Sequence, residues 1–144
     1  MTACAFQTRA ICSSPDGKLV ASSSADPDTV KGDNSVRVWD FATGKQLAHF
    51  KHPKGMEAVE FSPDGKYLLA GGRQGGGYEA KTVTNGFIYV YRIPADPQKE
   101  AITLVTKKPV FRSEYLHFSR DGRQLVTAHE DGTVRLWQVR QTGE

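Results

Sequence analysis

Cysteine is scarce in this chain: two in 144 residues, Cys4 and Cys12. That is too few for a disulfide framework, and the pair lacks the spacing of a zinc site. Cys12 lies in an apolar run and reads as a small core residue. Charge of one sign is also missing. The formal net charge is +3, with Lys and Arg scattered among Asp and Glu, so no basic block is present to neutralise a run of phosphates, and no nucleic-acid partner is expected. No apolar stretch is long enough to span a bilayer, and the opening MTACAFQTRAICSS lacks the basic-then-apolar order of a secretory signal. A reducing compartment follows as the expectation, the cytoplasm or the nucleus, with no membrane partner.

Catalytic signatures are absent too. There is no Gly-x-Ser-x-Gly elbow and no cluster of metal ligands. RQGGGYEAK at 73–81 has glycines but lacks the Lys followed by Ser or Thr that cradles phosphate. His129, Glu130 and Asp131 adjoin one another, but Asp131 belongs to a turn, and neighbouring strand residues point to opposite faces. His49 and His117 come one to a strand, as surface or satisfied histidines do. No catalytic residue, cofactor or metal is therefore expected, and the chain reads as something other than an enzyme.

What the chain does contain is repetition. SPDG at 14–17 and 62–65 returns as SRDG at 119–122, each followed by KLVAS, KYLLA or RQLVT, then by a variable segment, then by DNSVRVW, NGFIYVY or DGTVRLW. The unit is about fifty residues long, near the blade length of propeller repeats. Its apolar residues are β-branched and aromatic at short period, and no helical stripe runs anywhere, which argues strand. AICS and MEAVEF lead into the turns as first strands. SVRVWD, GFIYVYRI and TVRLWQV form third strands, and QLAHFK and AITLVTK fourth ones. In the two Ser-Pro-Asp-Gly turns Pro sets φ, Asp bonds its own backbone and Gly accepts a positive φ. The fold class is therefore all-β: three four-stranded antiparallel meanders, each too small to bury both faces alone and so obliged to stack. The units run about 7–51, 55–107 and 110–140, the last without its outer strand.

These phrases resemble the WD-repeat β-propeller family over nearly the whole chain. In the first unit Ser22, Asp33, Trp39 and Asp40 match the family pattern, and in the third Thr127, Asp131 and Trp137 do, with Gln138 in place of the terminal Asp. The second unit has the family His at His52, after Lys51 instead of Gly, but carries Ala70, Asn85 and Tyr91 where the pattern has Ser or Thr, Asp and Trp. Cys4 and Pro109 stand at the His position of the other two units. The resemblance implies a buried hydrogen-bonded chain of His, Ser or Thr, Asp and Trp. No unit holds the full set, so other groups or water must finish each chain. Trp39 and Trp137 are expected as buried blade residues. The ending LWQVR loosely resembles a Trp-Asp-x-Arg adaptor-docking signature through Arg140, again with Gln138 where Asp belongs.

Three blades do not close a ring of the usual four to eight. Two accounts follow. In one, two copies join head to tail as six blades, with Met1 to Phe6 of each completing the third blade of the other. In the other, the 144 residues are a piece of a longer propeller whose remaining blades lie outside this sequence. Either leaves two apolar end faces on an isolated chain. Both long insertions, 24–34 and 73–85, follow second strands, at the end of the blade where fourth strands lead into the next unit. They therefore emerge on one face beside His52. The resemblance implies a non-catalytic scaffold for protein or peptide partners. The candidate contacts are Asp26, Asp28 and Lys31 from the first insertion, and Arg73, Tyr78, Glu79 and Lys81 from the second, with Tyr78 first among them.

Overall fold

The structure, a computed structural model, describes residues 7–26, 32–73, 86–110 and 113–140. Within them the chain is all strand and turn. β1 (Thr8–Ser13), β2 (Leu19–Ser24), β3 (Ser35–Asp40) and β4 (Gln46–Lys51) pair in chain order as one antiparallel sheet. β5 (Met56–Phe61), β6 (Tyr67–Arg73), β7 (Gly86–Arg92) and β8 (Thr103–Val110) form a second of the same order. β9 (Ser113–Phe118), β10 (Gln124–His129) and β11 (Val134–Gln138) form a third, three-stranded among the described residues. Pro109 lies in β8, an outermost strand, where a missing N–H is tolerated.

The hairpin between first and second strands is built the same way three times. Ser14 Oγ donates to Asp16 Oδ1 (2.6 Å) and accepts from Leu19 N (2.9 Å), while Asp16 Oδ1 accepts from Lys18 N (3.1 Å). Ser62 with Asp64, and Ser119 with Asp121, repeat the pattern, each hydroxyl donating at 2.6 Å. The turn glycines Gly17, Gly65 and Gly122 have φ of 71°, 71° and 69°, a region that glycine enters without a Cβ clash. Every partner lies within five residues, so the turn is specified locally.

Alternation along the strands then gives each sheet two different faces. Val20 pairs with Trp39, Leu68 with Tyr91, and Leu125 with Trp137, so an aromatic ring and a branched residue share one face in every sheet. The opposite face packs against the next sheet. Leu19, Ala21, Val36 and Val38 of the first sheet meet Val59, Phe61, Leu68 and Tyr91 of the second. Ala58, Leu69, Ile88 and Val110 of the second meet Leu116, Phe118 and Leu125 of the third. Each such large side chain contributes on the order of 1.5–3 kcal/mol by leaving water. Strand β6 passes very close to the segment before β5: a Cβ on Gly72 would lie 2.5 Å from the carbonyl oxygen of Gly55, so this position admits glycine alone without a backbone shift.

Packing runs from first sheet to second and from second to third, an open arc. The two end faces differ, contrary to the expectation that both would be bare. On the third sheet Tyr115, Val126, Val134 and Leu136 are exposed, Tyr115 and Val134 at 71% each. On the first sheet Ile11 is exposed at 70%, but Val20, Ser22 and Trp39 are buried. Serines occupy two of the first sheet's outward positions, Ser22 and Ser24, so less apolar surface exists there to be bared.

Candidate functional site

The end of the molecule that carries both insertions is organised by Asn34. Its Oδ1 accepts from the N–H of Asp26 (2.8 Å), and its carbonyl accepts from the N–H of His52 (2.7 Å). The exits of β2 and β4 are thereby tied together, and Asp26 and His52 share one end as the strand order requires. Asp26 is buried there. Arg73 closes β6 opposite Gly86, so the second insertion also leaves from this end. The side chain of Arg73, and Asp28, Lys31, Tyr78, Glu79 and Lys81 entirely, lie outside the described residues, as do Met1 to Phe6.

The imidazole of His52 turns inward rather than outward. Its Nε2 is 2.7 Å from the hydroxyl of Tyr91, and its ring meets the edge of Tyr89 at 4.3 Å. Burial pushes the His52 pKa down from 6.5 to about 4 and drives Tyr91 well above the ordinary phenol value, so both are neutral near pH 7. Tyr91 also stacks on Phe50 of the first sheet, with centroids 4.4 Å apart. Two departures from the family pattern thus compensate each other. Ala70 offers no hydroxyl, and Tyr91 reaches the histidine directly.

The third sheet completes its polar chain from within. Trp137 Nε1 donates to Thr127 Oγ1 (2.8 Å), and that oxygen shares a 2.6 Å hydrogen bond with His129 Nε2. Thr127 and His129 are two apart on β10 and share a face, so His129 provides the imidazole that Pro109 cannot. Trp137 itself is only half-buried, less enclosed than expected. Asp131 stands apart from this chain: it accepts from Thr133 N (3.0 Å) and pairs with Arg135 (3.1 Å), and the Thr133 hydroxyl is the largest influence lowering its pKa.

In the first sheet the polar chain breaks. Asp33 pairs with Arg37 (2.6 Å) and lies 3.7 Å from His49. Burial works to raise its pKa, and the Ser35 hydroxyl with Arg37 and His49 outweighs it. Asp40 accepts from Thr43 N (2.7 Å) and Thr43 Oγ1 (2.6 Å) and from Gln98 Nε2 of the second sheet's connection (3.0 Å). Trp39 is buried, yet the buried Oγ of Ser22 has no partner among the described residues. Removing an unpaired hydroxyl relieves a desolvation penalty, whereas removing a shared one leaves its neighbours unpaired. Ser22→Ala is accordingly expected to change stability by under about 0.5 kcal/mol, or to raise it, while Thr127→Val loses about 1–3 kcal/mol. Urea melts of the two variants check this, and equal losses would refute it.

At the opposite end a cleft of about 730 Å³ opens between the first two sheets, lined by Leu19, Tyr67 and Ile93 with Asp16, Asp64 and Asp96. Four carboxylates line it: Asp16 is bound to Ser14, Asp64 to Ser62, Asp96 to Gln98 N (3.1 Å) and Lys99 (3.1 Å), and Asp40 to Thr43 and to Gln98 of the facing connection. No group of three potential metal ligands occurs among the described residues.

Repeated sheets, recurring turns and aromatic-to-hydroxyl chains of this kind define a WD-repeat propeller architecture. Comparison with known proteins agrees: the profile of the WD domain, G-beta repeat, matches residues 6–40, 44–76 and 114–138, and the chain belongs to that family. Similar proteins include the small ribosomal subunit protein RACK1 of Brassica napus, 31% identical over 88% of this chain and 37% of its own length. Another is eukaryotic translation initiation factor 3 subunit I of Schizosaccharomyces pombe, 35% identical over 74% of this chain and 32% of its own length. The chain spans about a third of these relatives. A chain in a crystal structure of the mitotic checkpoint complex superposes with TM-score 0.71 over 96% of this chain and 39% of its own, at 19% identity, which establishes shared fold.

Proposed function

We propose that the chain is a non-catalytic WD-repeat scaffold that binds protein or peptide partners through the end carrying the two insertions. The observation that carries this reading is the convergence there of both insertion points and the Asn34 tie, which gives loop residues a rigid base. Asp28, Lys31, Arg73, Tyr78, Glu79 and Lys81 are the proposed contacts. Asp26 and His52 serve beneath them as support, since one is buried and the imidazole of the other is bonded to Tyr91. The four carboxylates of the opposite cleft are engaged in hydrogen bonds within turns or, for Asp40, also to Gln98, which favours binding over catalysis. Relatives named for a ribosomal subunit and for an initiation factor subunit are parts of larger assemblies, which supports protein partners and a cytoplasmic setting. Deleting residues 74–83 is expected to abolish partner capture while leaving the thermal melt within a few degrees of the parent. Retention of every partner by the deletion variant would refute the reading.

A further inference from the structure

The connections between third and fourth strands differ in length. Between β3 and β4 the chain runs from 41 to 45, whereas between β7 and β8 it runs from 93 to 102, twice as far. The longer connection folds back over the first sheet. There the Gln98 side chain donates to Asp40 Oδ2 (3.0 Å) and accepts from Lys45 Nζ (3.4 Å), while Asp96 Oδ1 accepts from the N–H of Gln98 (3.1 Å) and holds the bend. It thereby supplies part of the lining of the cleft at the end opposite the insertions, together with the hairpin turns at 14–18 and 62–66. Every lining residue belongs to the first two sheets or their connections. The volume, about 730 Å³, falls within the range of ligand sites, about 300–1,000 Å³, and gives room for a few extended residues but not for a folded element.

The lining decides the chemistry of an occupant. Leu19, Tyr67 and Ile93 supply apolar surface, and Pro15, Pro94 and Pro97 have no N–H to offer. Carboxylates outnumber cations four to three, Asp16, Asp40, Asp64 and Asp96 against Lys18, Lys66 and Arg92, in a chain whose net charge is +3. The hydroxyls of Ser14 and Thr43 and the ammonium of Lys99 lower the pKa of Asp16, Asp40 and Asp96 respectively, so these three are ionised at neutral pH. Asp16 and Asp64 make their turn bonds through Oδ1, and Oδ2 of each makes no hydrogen bond among the described residues. The main-chain N–H groups of Lys18, Lys66 and Gln98 are already donated to lining carboxylates. Lys18 and Lys66 are exposed, on stems that leave their ammonium groups in water. Acceptors are thus in surplus, beside apolar surface, which suits an occupant that brings both donors and positive charge.

We propose that this cleft docks an extended, arginine-bearing segment of a partner protein, its guanidinium set against Asp16 and Asp64 and its flanking apolar side chains on Tyr67 and Ile93. Arginine fits better than lysine because its planar fork meets a carboxylate through two donors at once. The site is a second surface on the scaffold, at the far end from the insertions, and stands or falls separately from them. So short a segment binds with a dissociation constant on the order of 10–100 μM, too weak to retain a partner on a capture resin without the loop-bearing end.

Fluorescence polarisation of a labelled Ala-Leu-Arg-Leu-Arg-Ala peptide against the full chain tests the site. Binding is expected to weaken with added salt and to be lost when both arginines are replaced by glutamate. Asp16→Asn with Asp64→Asn keeps the Oδ1 acceptors of both turns and removes two charges, with about a tenfold loss of affinity expected. Ala95→Trp places a ring among the lining residues and is expected to block the peptide. Thermal melts show that each variant stays folded, and either one decides the matter if the other unfolds. Deleting residues 74–83 is expected to leave peptide binding unchanged, which separates this site from the loop-bearing end. No binding up to about 1 mM, equal binding of the glutamate peptide or of one with leucine for arginine, parental affinity in the folded variants, or loss of binding on loop deletion would each overturn the assignment.

Discussion

Tyr91→Ala is expected to lose about 3–5 kcal/mol of stability, the range for deleting a buried ring. Tyr91 is fully buried, stacks on Phe50 across the first interface and bonds His52, so one truncation removes packing between sheets and strands a buried imidazole at once. Set against a typical domain stability of about 5–15 kcal/mol, such a loss unfolds a sizeable fraction of the chains at physiological temperature. Tyr91→Phe separates the two contributions. It keeps the ring against Phe50 and removes the hydroxyl, with an expected loss of about 1–2 kcal/mol. Chemical denaturation of both variants measures the difference. A Tyr91→Ala loss below that of Tyr91→Phe would show that the ring carries little of the interface.

The same pair explains what the sequence disclosed and what it withheld. The turns were legible because Ser14, Asp16, Gly17 and Lys18 and their counterparts complete them within five residues. The strand order followed from those turns, and the family resemblance followed from the phrases around them. The polar chains were less legible, since their partners are distant or displaced. Tyr91 and His52 lie 39 residues apart, and neither Ala70 nor Tyr91 alone signals that one substitution compensates the other. His129 was visible two residues after Thr127, on the same face of a strand, but the pattern directs attention to an upstream histidine. Gln98 reaching Asp40, 58 residues away, depends on how one connection folds over a neighbouring sheet. The difference between the end faces was hidden for a similar reason. Alternation shows that Val20 and Trp39 point outward, and says nothing of whether they are covered.

Acid stability follows from the same imidazole. In the folded chain His52 is neutral down to about pH 4, because burial disfavours its charged form. In the unfolded chain it takes a proton near its ordinary value of about 6.5. Below that value the unfolded state binds more protons than the native one, so stability falls as pH falls. The His52 contribution is intact above pH 6.5 and is lost progressively down to about pH 4, at about 1.4 kcal/mol per unit, or about 3.5 kcal/mol in all. The lowered carboxylates Asp16, Asp33 and Asp131 act in a separate window, below the unfolded carboxylate value of 3.8. His52→Gln keeps a hydrogen-bonding partner for Tyr91 and removes the titration. Denaturation curves at pH 7 and pH 4.5 are therefore expected to show the parent losing about 2 kcal/mol more than the variant. Parallel losses in the two proteins would mean that His52 is already solvated in the folded state, and that the Tyr91 contact does not hold its ring in the interior.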